Sequence, residues 1–191
     1  MDRINSFAVV AYLNGSLAKF VNELRRELTP DCPHRAHVTV LPPRPISVPP
    51  EEAIADCRQI LQSVDPFEMH LGDVGVFETT QVIKLSFRSG IAEIDGLHRI
   101  LNEGKAAGPE NFVFVPHITL GQDIPSEKVP EALTVARKRW SAFRPAPPIL
   151  IEKLSFVQQI ADGCWADLAQ MDLGSREPVG VALNGSRHRN L

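Results

Sequence analysis

Cysteine is scarce in this chain of 191 residues: Cys32, Cys57 and Cys164 are odd in number and far apart. That usage argues against a disulfide framework and a cysteine-rich zinc site. Positive charge is not in excess either. Twenty Lys and Arg stand against 23 Asp and Glu, for a net charge of −3. Proteins that grip long duplex nucleic acid are usually basic, so the balance favours a small substrate or an RNA end met through a local patch. Long hydrophobic runs are missing as well. The segment Phe7–Leu13 is apolar, but it is too short to span a bilayer and has the length of a strand. We expect no membrane association and a cytoplasmic protein, long enough to bury a real core as one domain or a bilobed one.

What the chain does have is one four-residue pattern written twice. His37-Val38-Thr39-Val40 and His117-Ile118-Thr119-Leu120 each read His, aliphatic, Thr, aliphatic. Side chains at i and i+2 of a strand share a face. His and Thr would therefore stand together while the aliphatics fill the core behind them. Two such strands facing one another make a cleft with two imidazoles and two hydroxyls. Imidazole titrates near neutrality, so a pair can divide acid and base roles. Thr is stiff at χ1 and supplies a fixed donor. That is sufficient equipment to hold and split a phosphodiester, and two His with no carboxylate pattern beside them supply too few ligands for a metal.

The remaining chain reads as alternating elements. Ile4–Leu13 is a strand stopped by Asn14-Gly15; Ser16 caps a helix with Leu17, Phe20, Val21, Leu24 and Leu28 on one face, ended by Thr29-Pro30. The first motif strand follows, and Pro42-Pro43 and Pro45 are expected to stop it. Pro50 opens a second helix carrying Ala53, Ile54, Cys57, Ile60 and Leu61. Phe67–Phe77 and Gln81–Arg88 form a hairpin turned at Glu78-Thr79-Thr80, then Ile91–Leu101 is a third helix. Phe112–Leu120 is the strand of the second motif. Ser126 caps a fourth helix reaching Trp140, and Ile149–Ile160 and Trp165–Leu173 pair around Asp162-Gly163. Periodicity alone gives an α+β fold with mixed sheets. We take residues 1–173 as one domain and 174–191 as a polar, mobile tail, basic at Arg187-His188-Arg189, in which Val179–Leu183 has the makings of an edge strand.

With its two H-x-T-x motifs and this order of elements, the chain resembles the 2H phosphoesterases from about Ile4 to Leu173. Within them it is most similar to the bacterial 2′-5′ RNA ligases, also called RNA 2′,3′-cyclic phosphodiesterases. The resemblance implies a bilobed fold with two pseudo-twofold-related lobes and a groove lined by the motif strands. It implies His37 and His117 as acid and base, with Thr39 and Thr119 on the phosphate, and it leans towards His117 as base and His37 as acid. The implied reaction is metal-independent hydrolysis of 2′,3′-cyclic phosphates on RNA ends or nucleotides to 2′-phosphates, by a monomer without cofactors. Reversible 2′-5′ ligation, 2′-5′ cleavage and hydrolysis of ADP-ribose 1″,2″-cyclic phosphate belong to the same chemistry. A non-catalytic module that binds RNA ends is the alternative of another class, though binding alone would not need two proton-transfer groups.

Three further residues are candidate substrate contacts. Phe77 closes a strand where similar proteins often carry an aromatic that stacks on a base; the alternative is a core Phe at a strand end. Arg44, just past the first motif, is either a phosphate-steering group or a solvated loop Arg. Gln122 follows the second motif as a polar contact. The chain departs from the bacterial pattern in having Leu41-Pro42-Pro43 where many members have Phe-Leu-Gly, and Gly121-Gln122 where they often have a basic residue. The two-histidine chemistry is unaffected, but the resemblance does not extend to a tRNA-ligase assignment. Arg137-Lys138-Arg139 reads as the wet face of a helix, and His34, His70, His98 and His188 as ordinary histidines.

Overall fold

The computed structural model describes residues 4–110, 112–143, 146–161 and 163–174. The tail beyond Gly174 and its candidate edge strand lie outside them, as does His188.

The architecture is α+β, built on two four-stranded antiparallel sheets. One sheet runs β2 (His37–Arg44), β1 (Phe7–Tyr12), β7 (Lys153–Ala161), β8 (Cys164–Asp172). The other runs β5 (Ile118–Gly121), β4 (Ile83–Ser89), β3 (Phe67–Val76), β6 (Ile149–Ile151). Each motif strand is therefore the edge of its own sheet, and the two edges pack against each other. Among the described residues four α-helices cover the sheets: α1 (Gly15–Leu28), α2 (Pro50–Leu61), α3 (Ile91–Asn102) and α4 (Val129–Phe143). Their packing is crosswise. Helix α1 leaves the first sheet and lies on β5, with α4 beside it on β3; α3 leaves the second sheet and lies on β2, with α2 on β8.

The apolar stripes that define the helices are the surfaces they bury. Leu17, Phe20, Val21 and Leu24 of α1 are buried, as are Ile94, Leu97 and Leu101 of α3. They join Val9, Val38, Val40, Leu85, Ile118 and Leu120 in one continuous core. Gly90 turns β4 into α3 at φ +78°, and a Cβ there would meet the Glu68 carbonyl at 2.6 Å, so no other residue fits without a shift.

Several elements differ from the sequence reading. Pro42-Pro43 do not stop β2, which continues to Arg44. They fall between the pairs Leu41↔Val9 and Arg44↔Phe7, where two residues oppose one. A bulge on an edge strand tolerates the missing N–H groups. The second motif strand is shorter than expected, and 112–117 are unpaired; Pro116 has no donor to offer β4. Ile149–Ile160 is not one strand but two. It breaks at Glu152, with β6 pairing β3 and β7 pairing β1 in the other sheet. Helix α1 starts at Gly15 with Asn14 before it, so Ser16 is inside rather than capping. Ser126 begins a 3₁₀ turn to Lys128 that precedes α4. Gln81 sits in the hairpin turn at φ +57°, and β4 begins at Ile83.

Candidate active site

In β2 the side chains alternate as the motif requires: Val38 and Val40 are fully buried, His37 and Thr39 half-buried on the opposite face. In β5 Ile118 and Leu120 are buried and Thr119 faces the same way as His117, the residue just before the strand. Edge-to-edge packing of the two strands brings the four residues to one groove.

The groove has two chambers. One, about 600 Å³, is lined by His37, Tyr12, Arg25, Arg35 and Trp165 among others. The second, about 710 Å³, is lined by His117, Phe77, Phe112, Phe114 and Glu110 among others. Thr39, Pro43, Thr119 and Gln122 line both, so the hydroxyls mark the waist between them.

The two imidazoles are held alike. His37 Nδ1 lies 2.6 Å from the Arg35 carbonyl, and His117 Nδ1 lies 2.7 Å from the Val115 carbonyl. A carbonyl only accepts, so each Nδ1 donates and each Nε2 is left for proton exchange. An aromatic edge meets each ring, Tyr12 against His37 at 6.5 Å and 88°, Phe77 against His117 at 4.9 Å and 82°.

Their electrostatics are less alike. Burial drives the His37 imidazole down to about 4, helped by the cation of Arg25 and partly opposed by the bond to Arg35; His34 and His117 lower it further. His117 is also lowered, by burial first and then by Lys84 and Arg25, against the bond to Val115. Both rings are thus driven towards the neutral form, by burial first in each case. Two other polar groups of the first chamber, Tyr12 and Arg35, are committed to partners. Tyr12 donates to Asp167 at 2.6 Å, and burial together with that bond pushes its phenol up to about 12. Arg35 lies over the Tyr12 ring at 3.9 Å and pairs with Asp167 at 3.5 Å.

Of the three further candidates, Phe77 and Gln122 are brought to the groove. Lys84 Nζ stands 4.3 Å from the Phe77 ring centre, and Gln122 bonds Asp123 at 3.2 Å. Arg44 is not brought there. It is 3% exposed, neither solvated nor in the groove, with its guanidinium on Glu110 at 2.6 Å, on Asn102 and on the Pro42 carbonyl. Arg25, Tyr12, Arg35 and Trp165 escaped the sequence reading. Arg25 had one legible signal: it interrupts the apolar stripe of α1 between Leu24 and Leu28. His98, read as an ordinary surface or core histidine, is a core one: it is 8% exposed and stacks on Phe114 at 3.9 Å. Among the described residues, no cluster of three or more His, Cys, Asp or Glu is arranged to hold a metal, and no helix is long and apolar enough to cross a membrane.

Two sheets that bring paired H-x-T-x motifs to one groove are the arrangement of a 2H phosphoesterase. The chain belongs to the 2′-5′ RNA ligase superfamily, whose family model matches residues 13–163. It is similar to a Geobacillus kaustophilus protein named "Putative phosphoesterase", with 22% identity over 182 residues, covering 91% of this chain and 99% of that one. Among solved structures it is similar to E. coli LigT in apo form, with a TM-score of 0.60 at 17% identity over 91% of this chain and 100% of that one. LigT complexed with 3′-AMP superposes with a TM-score of 0.59 at 18% identity, covering 90% and 99%. The LigT likeness is one of fold.

Proposed function

We propose that this protein hydrolyses 2′,3′-cyclic phosphates of nucleotides or RNA ends to 2′-phosphates, without a metal in the step. The observation that carries this reading is the matched pair of imidazoles, each anchored through Nδ1 to the carbonyl two residues earlier, on either side of a waist formed by two Thr. The phosphate sits at the waist, where the Thr39 and Thr119 hydroxyls donate to its non-bridging oxygens as charge redistributes. One neutral Nε2 takes a proton from water as its oxygen forms the new P–O bond. The P–O3′ bond breaks, and the other ring delivers its Nε2 proton to the departing ribose oxygen. Water is consumed, and the product is the 2′-monoester with a free 3′-hydroxyl.

The resemblance leaned towards His117 as base. The surroundings favour the reverse: a base must start neutral, which burial ensures for His37, and the acid must start protonated, which falls to the less depressed ring, His117. In this reading His117 is the acid. The second chamber, walled by Phe77, Phe112 and Phe114, receives the base. E. coli LigT, whose fold this chain shares, is crystallised with 3′-AMP, which is in keeping with a nucleotide-sized ligand. Because a chamber lies on each side of the waist, a linear diester with a group on either side, such as a 2′-5′ linkage, is the second reading.

The test is a screen of the purified chain in EDTA against 2′,3′-cyclic nucleotides, cyclic-phosphate-ended RNA and 2′-5′-linked dinucleotides, with products resolved by ³¹P NMR. Conversion of cyclic phosphates to 2′-monoesters is expected. Tight binding of RNA ends with turnover of none of these would assign a binding module instead.

A further inference from the structure

Among the described residues, Arg25 is a cation without a counter-ion. It is only 3% exposed, set beneath both motifs by the apolar stripe of α1. Its donors go to carbonyls: Nε to Thr119 at 2.6 Å, Nη1 to Arg35 at 3.0 Å and to His34 at 3.4 Å. Those bonds fix the guanidinium but bring no negative charge, and among the described residues no carboxylate pairs with it. Burial accordingly lowers its affinity for the proton. A buried charge left uncompensated is costly, and such sites usually hold a partner.

The place where a partner would sit is the chamber that Arg25 lines with His37, Thr39 and Thr119. Guanidinium has five N–H donors, and Nη2 has no acceptor among the described residues. The chamber's other arginine, Arg35, already has Tyr12 and Asp167. With the hydroxyls uncharged, Arg25 is a fixed positive charge in the chamber beside Thr39 and Thr119, while the other nearby cation, Lys84, stands over Phe77 on the far side.

We propose that Arg25 is a phosphate-binding residue of the groove, a pre-set guanidinium whose counter-ion is the phosphoryl group of the substrate. The proposal rests on reading the groove as a phosphoester site, and it names the charge that neither motif supplies. Arginine suits the task because its planar fork is held rigidly by the carbonyls on one side while the free side meets phosphate oxygens. Binding then completes an ion pair that the free protein lacks. The Arg35 carbonyl accepts from both Arg25 and His37, so the same guanidinium fixes the strand entry that orients the ring.

The experiment uses the full chain and inorganic phosphate, with affinity read by calorimetry and by the rise of Tm with phosphate. Wild type should bind. R25M should bind about tenfold more weakly or worse, as expected for a lost charge-assisted donor. R26M removes the same charge from the exposed neighbour on α1 and should bind as wild type. Phosphate bound equally by R25M and wild type, or not at all by wild type, overturns the proposal. Should R25M fail to fold, ¹⁵N NMR of the wild type decides: saturating phosphate should move the Arg25 Nε–H resonance, assigned by its loss in R25K, and an unmoved signal overturns it. Turnover of cyclic nucleotides is measured in parallel. Turnover with Arg25-independent phosphate binding sinks this proposal alone, whereas Arg25-dependent binding with no turnover sinks the assigned reaction and leaves the anion site standing.

Discussion

His98 donates its Nδ1 proton to the backbone carbonyl of Val40 across 2.7 Å, tying α3, from the second half of the chain, to the first motif strand. The bond has a counterpart across the groove. Arg25 of α1 donates to the carbonyl of Thr119 in the second motif strand at 2.6 Å. Each motif is thus pinned by a buried cationic or imidazole side chain from a helix that packs crosswise onto it. Edge strands have unpaired backbone on one side, and these two bonds occupy part of it. The motifs are held rigidly even though each lies at the margin of its sheet.

The pair of imidazoles should act as a unit. H37A and H117A should each lower kcat/KM for a 2′,3′-cyclic nucleotide by about 10²–10⁴-fold with unchanged circular dichroism. The double variant should lose far less than the product of the two. Near-normal turnover by either single variant would refute a two-histidine mechanism.

Thr39→Val and Thr119→Val keep the shape and delete the donor. Each should cost about 10²-fold in kcat, the scale of one lost donor to a developing charge. Urea unfolding should place the two variants within about 1 kcal/mol of wild type, since both hydroxyls face the groove. Loss of folding with no specific kinetic defect would make the hydroxyls structural.

The pH profile follows from the directions of the two shifts. A base must start neutral, so the acid limb of kcat/KM lies at the lower of the two values, about 4 for His37. An acid must start protonated, and His117 is also lowered, so the basic limb falls below the ordinary imidazole value. The bell should therefore peak on the acid side of about 6.5 and be unchanged by EDTA. A rate that instead climbs to a plateau at neutral pH and vanishes with chelator would indicate a bound metal. Stability carries the same sign. A histidine depressed on folding binds its proton more readily when unfolded, so it costs stability as pH falls from about 6.5 towards 4. Wild type should lose more stability than H37A over that window in parallel urea titrations.

Glu110 ties together one wall of the second chamber. It pairs with Arg44 at 2.6 Å and reaches His98 at 3.2 Å, joining the end of β2, helix α3 and the segment that leads to His117. E110A strands the buried Arg44 charge and should cost about 2–4 kcal/mol in urea unfolding, somewhat below a fully buried pair because Glu110 is partly exposed. A loss under 0.5 kcal/mol, the range of ordinary surface changes, would show that the pair is not a structural tie.

Phe77 is the test of base recognition. F77A should raise KM for a cyclic nucleotide about tenfold, the scale of one lost stacking contact. Phosphate affinity should stay put, because the ring lies in the chamber beyond the waist. Equal effects on both ligands would mean that the variant disturbs His117, which the ring touches edge-on.

Much of the candidate site's geometry was legible in the sequence because a strand's period of two is a local rule: once His37-Val38-Thr39-Val40 is a strand, His and Thr must share a face. The helix stripes were legible for the same reason, since 3.6-residue periodicity needs no partner to be read. What no local rule decides is which strands pair. Residues 149–160 look like one continuous apolar strand, yet the hydrogen-bonding edges of β3 and β1 claim its two parts for different sheets, with the break at Glu152. Residues 112–117 look like a strand as well, but no neighbouring edge pairs them ahead of Pro116. Arg25 and Arg44 show the same division. In the sequence Arg25 is only a break in the apolar stripe of α1 and Arg44 a loop cation just past the first motif; the crosswise helix packing buries one under both motifs, and the bulged end of β2 buries the other against Glu110. Sequence set the chemistry each strand would present. Long-range pairing, whose energetics depend on partners far along the chain, decided where those strands would meet and which charge would wait between them.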